Sequence, residues 1–266
     1  MEEFEGYLRR KGYSANTVAS YMFAVRQLRE RVDRLADEAL FAHKDWLIGT
    51  YAAKTVNNRL IAINTYLNFV GYEGIRLAGV KIQQKPFLDN VVSNSQYEAM
   101  KAQLKGEDDP FWLFVIRFLA CTGARVSELR RFTVEHVRTG HMDIVSKGSK
   151  LRRVYVPAEL QRDALAWLEA EGRTSGEVFL GDRGTVITAR GIALGLKRVA
   201  ARCGVDEAVV YPHSFRHLFA KNFIKRSPDI ALLADLMGHE SIETTRVYLR
   251  RTAQEQRDEV NAVVDW

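Results

Sequence analysis

The sequence predicts a mainly α-helical protein with one small antiparallel β-sheet, an α+β fold, divided into two domains. Apolar residues recur at intervals of three and four through most of the 266 residues, which is the period of an amphipathic helix. The exception is a pair of short β-type segments, 142–146 and 151–156, joined by a Lys-Gly-Ser-Lys turn. Between 71 and 94 the periodicity lapses, which separates the domains. Hydrophobic residues make up 47% of the chain, enough to form two cores.

The first domain is predicted to span residues 1–80 as a small bundle of helices. Ser14 is a typical N-cap, and apolar residues follow it at helical spacing. A second strong helical pattern begins after Thr55, and weaker ones lie at about 2–10 and 41–50. Residues 81–92 are predicted to form an extended linker, because proline and lysine replace the apolar repeat there.

The second domain, residues 93–266, is predicted to begin with a helix of about ten residues that Ser95 caps. A helix that is apolar on nearly every side follows at 111–121. The turn Thr-Gly-Ala behind it places Arg125 at the start of another short helix. A solvated arginine is one explanation of this position, and a functional arginine is the other.

The β-type segments predict a hairpin, because a glycine lies in the turn and Val154 and Val156 alternate with other residues. Lys147 and Lys150 lie in that turn, where a lysine is usually just solvated. Further helices are predicted at 158–170, 188–203, 213–226, 229–237 and 241–249. The chain ends in an apolar stretch, unusual because termini fray unless they dock on the same chain or on a neighbour. Its apolar residues are Val260, Val263, Val264 and Trp266.

The formal net charge of +6 favours a polyanionic partner such as nucleic acid, without establishing one. The basic residues are spread over both domains and the linker, as expected of a chain that surrounds a duplex. The candidate DNA-contacting residues are Thr55, Asn58, Arg59, Lys81, Lys85, Lys150 and Arg152. For the first three, ordinary helix capping and solvation are an equally good explanation.

The sequence argues against several classes of protein. The apolar run at 111–121 is interrupted by Arg117 and is far shorter than the ~20 residues of a membrane span. The first residues are acidic where an export signal is basic, so we expect a cytoplasmic protein without a membrane partner. Cys121 and Cys203 form neither a metal-ligand set nor a disulfide framework, and both are predicted to be buried.

The densest group of chemically active side chains lies between residues 211 and 250. His213, Arg216 and His217 follow one another at i, i+3 and i+4, so a helix places all three on one face. A polar face of this kind needs a partner, and a zinc ion bound by the two histidines is one candidate. However, the glutamate of an HExxH site is missing, and Arg216 would repel a cation. We therefore expect no metal and no other cofactor.

Five motifs in the second domain resemble those of the tyrosine recombinases, the integrases and Xer-type resolvases of phages and bacteria. In chain order they are TGARVSEL, KGSK in the hairpin, HSFRH, LMGHE and a later tyrosine. Arg216 and His239 are 23 residues apart, and His239 and Tyr248 are nine apart. The resemblance covers the whole second domain as a tyrosine-recombinase catalytic domain, and the N-terminal bundle resembles the family's SAM-like core-binding domain.

The resemblance also implies the functional residues. The catalytic residues that it implies are Arg125, Lys147, His213, Arg216, His239 and Tyr248. Glu128 and His217 are implied as supporting residues. Lys150 lies in the same turn as Lys147 and is the alternative to it; the lysine that precedes the glycine is preferred.

The resemblance implies a site-specific recombinase that cuts and rejoins DNA through a 3′-phosphotyrosyl intermediate. It further implies a homotetramer on double-stranded recombination sites, assembled through the C-terminal segment. A type IB topoisomerase shares this chemistry, but the short chain and the Xer-like motifs argue against it. A non-catalytic accessory DNA-binding protein is another alternative, and the complete set of catalytic residues argues against that one.

Overall fold

The structure, a computed structural model, describes residues 1–82, 91–145, 151–238, 245 and 253–264. The chain divides into two compact units, Met1–Gln84 and Lys85–Trp266. The regular elements of the described residues are helices and one two-stranded antiparallel sheet, which confirms the predicted fold class. None of the helices in the described ranges is both long and apolar enough to cross a membrane.

The first unit is a bundle of helices around one apolar core. Its helices are α1 (Glu2–Arg10), α2 (Ala15–Arg29), α3 (Asp37–Thr50) and α4 (Ala53–Phe69). Ser14 caps α2 as predicted, since its Oγ accepts a hydrogen bond of 3.3 Å from the backbone N–H of Thr17. The core contains fully buried aliphatic side chains from all four helices, among them Leu8, Val25, Leu47 and Ile63.

The second unit contains the remaining elements. They are α5 (Asn94–Gly106), α6 (Pro110–Thr122), α7 (Val126–Leu129), α8 (Val134–Thr139), β1 (His141–Val145), β2 (Leu151–Tyr155), α9 (Ala158–Ala170), α10 (Ala189–Arg202), α11 (Pro212–Arg226), α12 (Ile230–Met237) and α13 (Ala253–Val263). The predicted helix at 241–249 lies outside the described residues except for Thr245, which is buried. The short helix α8 was not predicted, because six residues are too few to show a helical period.

The helix α6 lies at the centre of this unit and packs against α5, α9, α10 and α11. Asp109 caps it, Pro110 begins it, and its apolar side chains are buried on nearly every side. It ends at Gly123, whose φ of 62° is left-handed. A Cβ at this glycine would lie 2.5 Å from the ring of Phe219 on α11, so glycine permits the close approach of α11.

The start of α5 differs from the prediction. Ser93, not Ser95, is its N-cap: the Oγ of Ser93 accepts a hydrogen bond of 3.2 Å from the backbone N–H of Gln96. The side chain of Gln96 in turn accepts a hydrogen bond of 2.8 Å from the backbone N–H of Ser93. This reciprocal pair is a capping box and begins the helix two residues early.

The hairpin has the predicted antiparallel pairing, with His141 opposite Tyr155 and Val145 opposite Leu151. Its inward face consists of Met142, Ile144, Arg152 and Val154, which are all buried. Because side chains alternate between the two faces of a strand, Arg152 lies on the face of β2 that packs against the core.

Candidate active site

Three arginines from separate parts of the second unit converge on the turn that ends α12. The carbonyl of Met237 accepts hydrogen bonds from Nη1 of Arg152, at 2.9 Å, and from Nη2 of Arg216. The carbonyl of Gly238 accepts one of 3.2 Å from Nη2 of Arg125. The free carbonyls at the C-terminal end of a helix carry partial negative charge, which favours guanidinium groups there. The fold thus brings Arg125 and Arg216 together, 91 residues apart in the sequence.

Glu128 lies beneath this group and is only 5% exposed. Its carboxylate accepts hydrogen bonds from the backbone N–H and from Nη1 of Arg125, at 2.7 and 2.9 Å. The same carboxylate accepts two more from Arg152, at 3.1 and 2.8 Å. Burial alone raises the pKa of Glu128, but the hydrogen bonds and charges of Arg125 and Arg152 outweigh it and lower the pKa below its usual value. Glu128 is therefore a carboxylate that fixes two arginines.

The two arginines that the sequence implies as phosphate ligands differ in accessibility. The side chain of Arg125 is 35% exposed, whereas Arg216 is only 1% exposed. The Nη1 of Arg216 donates to the carbonyl of Gly123, the left-handed residue at the end of α6. The guanidinium of Arg216 thus joins the end of α6 to the end of α12.

The two histidines of α11 lie on one face, as predicted, with ring centroids 6.4 Å apart. His213 is exposed and His217 is half-buried. Burial, followed by electrostatic interactions with His213, Lys221 and Arg216, lowers the pKa of His217 to about 4. His217 is therefore neutral at physiological pH, where it can donate through only one ring nitrogen.

Several sequence-predicted site residues lie outside the described residues. They are Lys85, Lys147, Lys150, His239 and Tyr248. His239 directly follows Gly238, and Lys147 and Lys150 belong to the connection between β1 and β2. The described residues therefore end at Val145 and resume at Leu151 around the first connection, and they end at Gly238 before His239.

Arg152 does not have the environment expected of a DNA contact. It is 6% exposed and bound to Glu128, with its side chain on the inward face of β2. The physical reason is the alternation of the strand, which places Arg152 on the same side as the buried Val154. The same alternation was available in the sequence and is the signal that identifies Arg152 as an interior residue.

The candidate DNA contacts of the first unit are only partly accessible. Asn58 and Lys81 are exposed and Thr55 is half-buried. Arg59 is half-buried as well: it donates to the side chain of Gln27, and its guanidinium lies 3.8 Å from the ring centroid of Tyr51.

No three His, Cys, Asp or Glu side chains among the described residues are grouped so that they could hold a metal ion. Cys121 and Cys203 are half-buried against the apolar core and not fully buried, and neither forms a disulfide.

Comparison with known proteins places these features in context. The model of the phage integrase family matches residues 90–255. The tyrosine recombinase XerA of Thermococcus kodakarensis is 29% identical over 266 residues, covering 97% of this chain and 92% of that protein. The tyrosine recombinase XerD of Vibrio cholerae serotype O1 is 28% identical over 265 residues, covering 90% of this chain and 86% of that one. The structure of the Tn1549 transposon integrase, in complex with transposon right end DNA, has a similar fold, with a TM-score of 0.73, 17% identity and 97% of each chain covered.

Proposed function

Because this chain belongs to the phage integrase family and is a tyrosine site-specific recombinase, we propose that Tyr248 attacks a DNA phosphate held by Arg125 and Arg216. The observation that carries this assignment is the meeting of the two arginines at the carbonyls of Met237 and Gly238, directly before His239. Arginines gathered at one point, one of them 35% exposed, form a place where a phosphate can be bound.

The arginines match the charge that develops during the reaction. When a nucleophile adds to a phosphodiester, negative charge grows on the non-bridging oxygens. Arg125 and Arg216 are permanently protonated and present two parallel N–H groups each, which suits those oxygens. Since Arg216 is 1% exposed, its binding to a phosphate requires that the residues around its guanidinium move to admit the phosphate.

The remaining residues supply the nucleophile, transfer protons and add a hydrogen bond to the phosphate. The Oη of Tyr248 forms a bond to phosphorus while the bond from phosphorus to the 5′ oxygen breaks. A phenol with a pKa of ~10 is a weak nucleophile at neutral pH, so we assign His213 as the base that accepts its proton. Lys147 donates a proton to the departing 5′ oxygen, and His239 donates a hydrogen bond to the phosphate. Lys150 remains the alternative to Lys147.

The products are a 3′-phosphotyrosyl bond and a free 5′ hydroxyl. Because one ester replaces another, a second strand's 5′ hydroxyl can reverse the step without ATP. The arginines and the lysine supply the positive charge, so the proposed reaction uses no metal or other cofactor.

The proposed partner is a double-stranded DNA recombination site. The net charge of +6 supports it, as do the relatives, which are named tyrosine recombinases. Residues 1–80 are proposed as the core-binding domain. Its proposed DNA contacts are Thr55, Asn58 and Arg59, and those of the linker are Lys81 and Lys85. The proposed assembly is a homotetramer on two sites, formed through the C-terminal segment.

The test is the covalent bond itself. A duplex selected by the protein from a random-sequence pool is prepared with a nick at each of a series of positions, end-labelled and incubated with protein. Wild type is expected to yield a protein–DNA adduct that survives denaturant. Tyr248→Phe is expected to bind the duplex and yield none, since the ring remains and the nucleophilic oxygen is gone.

Tyr155→Phe is the matched control, because Tyr155 is an exposed tyrosine of β2 outside the proposed site, and it should yield the adduct normally. An adduct from Tyr248→Phe at the wild-type level would remove Tyr248 from its role. Binding without any adduct from the wild type would instead identify a non-catalytic DNA-binding protein.

A further inference from the structure

Arg152 is a charged residue in an apolar position. On the inward face of β2 its neighbour is Val154, and opposite it on β1 lies Ile144; both are buried. An arginine that is 6% exposed lowers stability unless carboxylates or carbonyls satisfy it. Arginine at this place therefore requires an explanation other than packing.

The contacts of Arg152 connect three parts of the candidate site. Its two terminal nitrogens donate hydrogen bonds to the two carboxylate oxygens of Glu128, at 3.1 and 2.8 Å. Glu128 also accepts hydrogen bonds from the backbone N–H and the side chain of Arg125. One of these nitrogens also donates to the carbonyl of Met237, at 2.9 Å. The aliphatic stem lies against Gly238, where a Cβ would come within 2.4 Å of Cδ.

The electrostatic environment agrees with a fixed ionic link. Burial lowers the pKa of Arg152, and the adjacent carboxylate of Glu128 acts in the opposite direction. Arginine nonetheless stays protonated in proteins. The positive charge of Arg125, which repels that of Arg152, is separated from it by the Glu128 carboxylate that both arginines share.

We propose that Arg152 is a positioning residue for strand cleavage. Through Glu128 it fixes the guanidinium of Arg125 for the scissile phosphate, and through Met237 it fixes the turn that leads into His239. It does not touch the DNA. This inference rests on the proposed function, because it assigns Arg152 a role within that reaction.

The test compares three variants in the adduct assay under single-turnover conditions, with DNA affinity measured separately. Arg152→Met removes the charge and keeps most of the stem, and Arg152→Lys keeps the charge without the planar fork. Arg153→Met is the matched control. Its residue is the next one in β2, paired with the carboxylate of Asp143 at 2.7 and 2.8 Å, and 43% of its side chain is exposed.

Each variant is assayed on two nicked duplexes, one with oxygen and one with sulfur as the 5′ leaving atom. A thiol has a pKa of ~8.5 and departs as thiolate, so the sulfur duplex does not need the proton from Lys147. Arg152→Met should bind both duplexes normally and form the adduct about 100-fold more slowly on each, as a displaced catalytic group does. Arg152→Lys should show a smaller loss on each, and Arg153→Met should match the wild type.

Two results would overturn the inference. One is adduct formation by Arg152→Met at the wild-type rate on the oxygen duplex. The other is restoration of its rate by the sulfur duplex, because Arg152 would then act through the hairpin lysine and not through Arg125. If thermal melting shows that Arg152→Met does not fold, the same two criteria are applied to Arg152→Lys. Absence of an adduct from the wild type would remove the proposed function itself, and is thereby distinguished from both.

Discussion

Gly238 is the residue at which the arginines of the candidate site meet the end of α12. Its φ of 61° is left-handed, its carbonyl accepts a hydrogen bond from Arg125, and a Cβ added to it would meet the side chain of Arg152. Only glycine combines this backbone conformation with an absent Cβ. Two separate constraints therefore act on one residue, and their effects on stability can be measured separately.

Gly238→Ala should lower the free energy of unfolding by more than the cost of the left-handed backbone, which is about 1–2 kcal/mol. The excess comes from Arg152, whose Cδ lies 2.4 Å from the added Cβ and must move. Gly204→Ala is the control, because Gly204 follows α10 with a φ of 63° and has nothing within 4 Å of its Cβ position. Urea denaturation measures both; equal losses would show that the Arg152 contact adds no constraint.

For single residues, the sequence predicts the side-chain positions that depend on local spacing and misses those that depend on contacts between distant parts of the chain. His213, Arg216 and His217 share a helical face because their spacing matches the helical period, and α11 places them so. The burial of Arg216 was not predictable, since it depends on the carbonyls of Gly123 and Met237, which are distant in sequence. Arg152 was predicted to contact DNA because it lies beside a hairpin turn with other basic residues; the residue is 6% exposed, as the alternation of the strand indicates.

At the scale of elements, the helices with long apolar repeats were predicted well, and the start of α5 was not. Ser93 and Ser95 each precede a residue suited to a capping box, Gln96 and Glu98, three positions later. The local sequence therefore cannot distinguish the two. A tertiary contact favours the earlier start: Val92 is buried, and its backbone N–H donates a hydrogen bond of 2.7 Å to the Oγ of Ser214 on α11.

This assignment predicts unequal effects of two serine substitutions. Ser93→Ala should lower the free energy of unfolding by about 1 kcal/mol, because the backbone N–H of Gln96 loses its acceptor. Ser95→Ala should lower it less, since Ser95 contributes only a hydroxyl contact of 2.9 Å with Ser93. Chemical denaturation of both variants gives the comparison. A larger loss for Ser95→Ala would mean that α5 begins two residues later in solution.

At the scale of the whole molecule, α13 presents apolar side chains to solvent. Val260, Val263 and Val264 are 57%, 59% and 43% exposed. Their spacing of i, i+3 and i+4 places them on one side of the chain end. When a partner surface covers exposed apolar side chains grouped in this way, the free energy of the system falls, which favours association. Together with the proposed tetramer, this makes α13 the segment on which assembly between protomers is expected to depend.

Removal of residues 252–266 should therefore leave binding to a single DNA site unchanged and weaken the complex that holds two sites. A full-length variant with serine at 260, 263 and 264 should behave in the same way, because it keeps the helix and removes its apolar side. Asn261→Ser, an exposed substitution on the same helix, is the matched control and should assemble normally. Native gel electrophoresis with one labelled site and an excess of unlabelled site separates the two kinds of complex. If the triple-serine variant forms two-site complexes at wild-type concentrations, the contact between protomers must lie elsewhere on the chain.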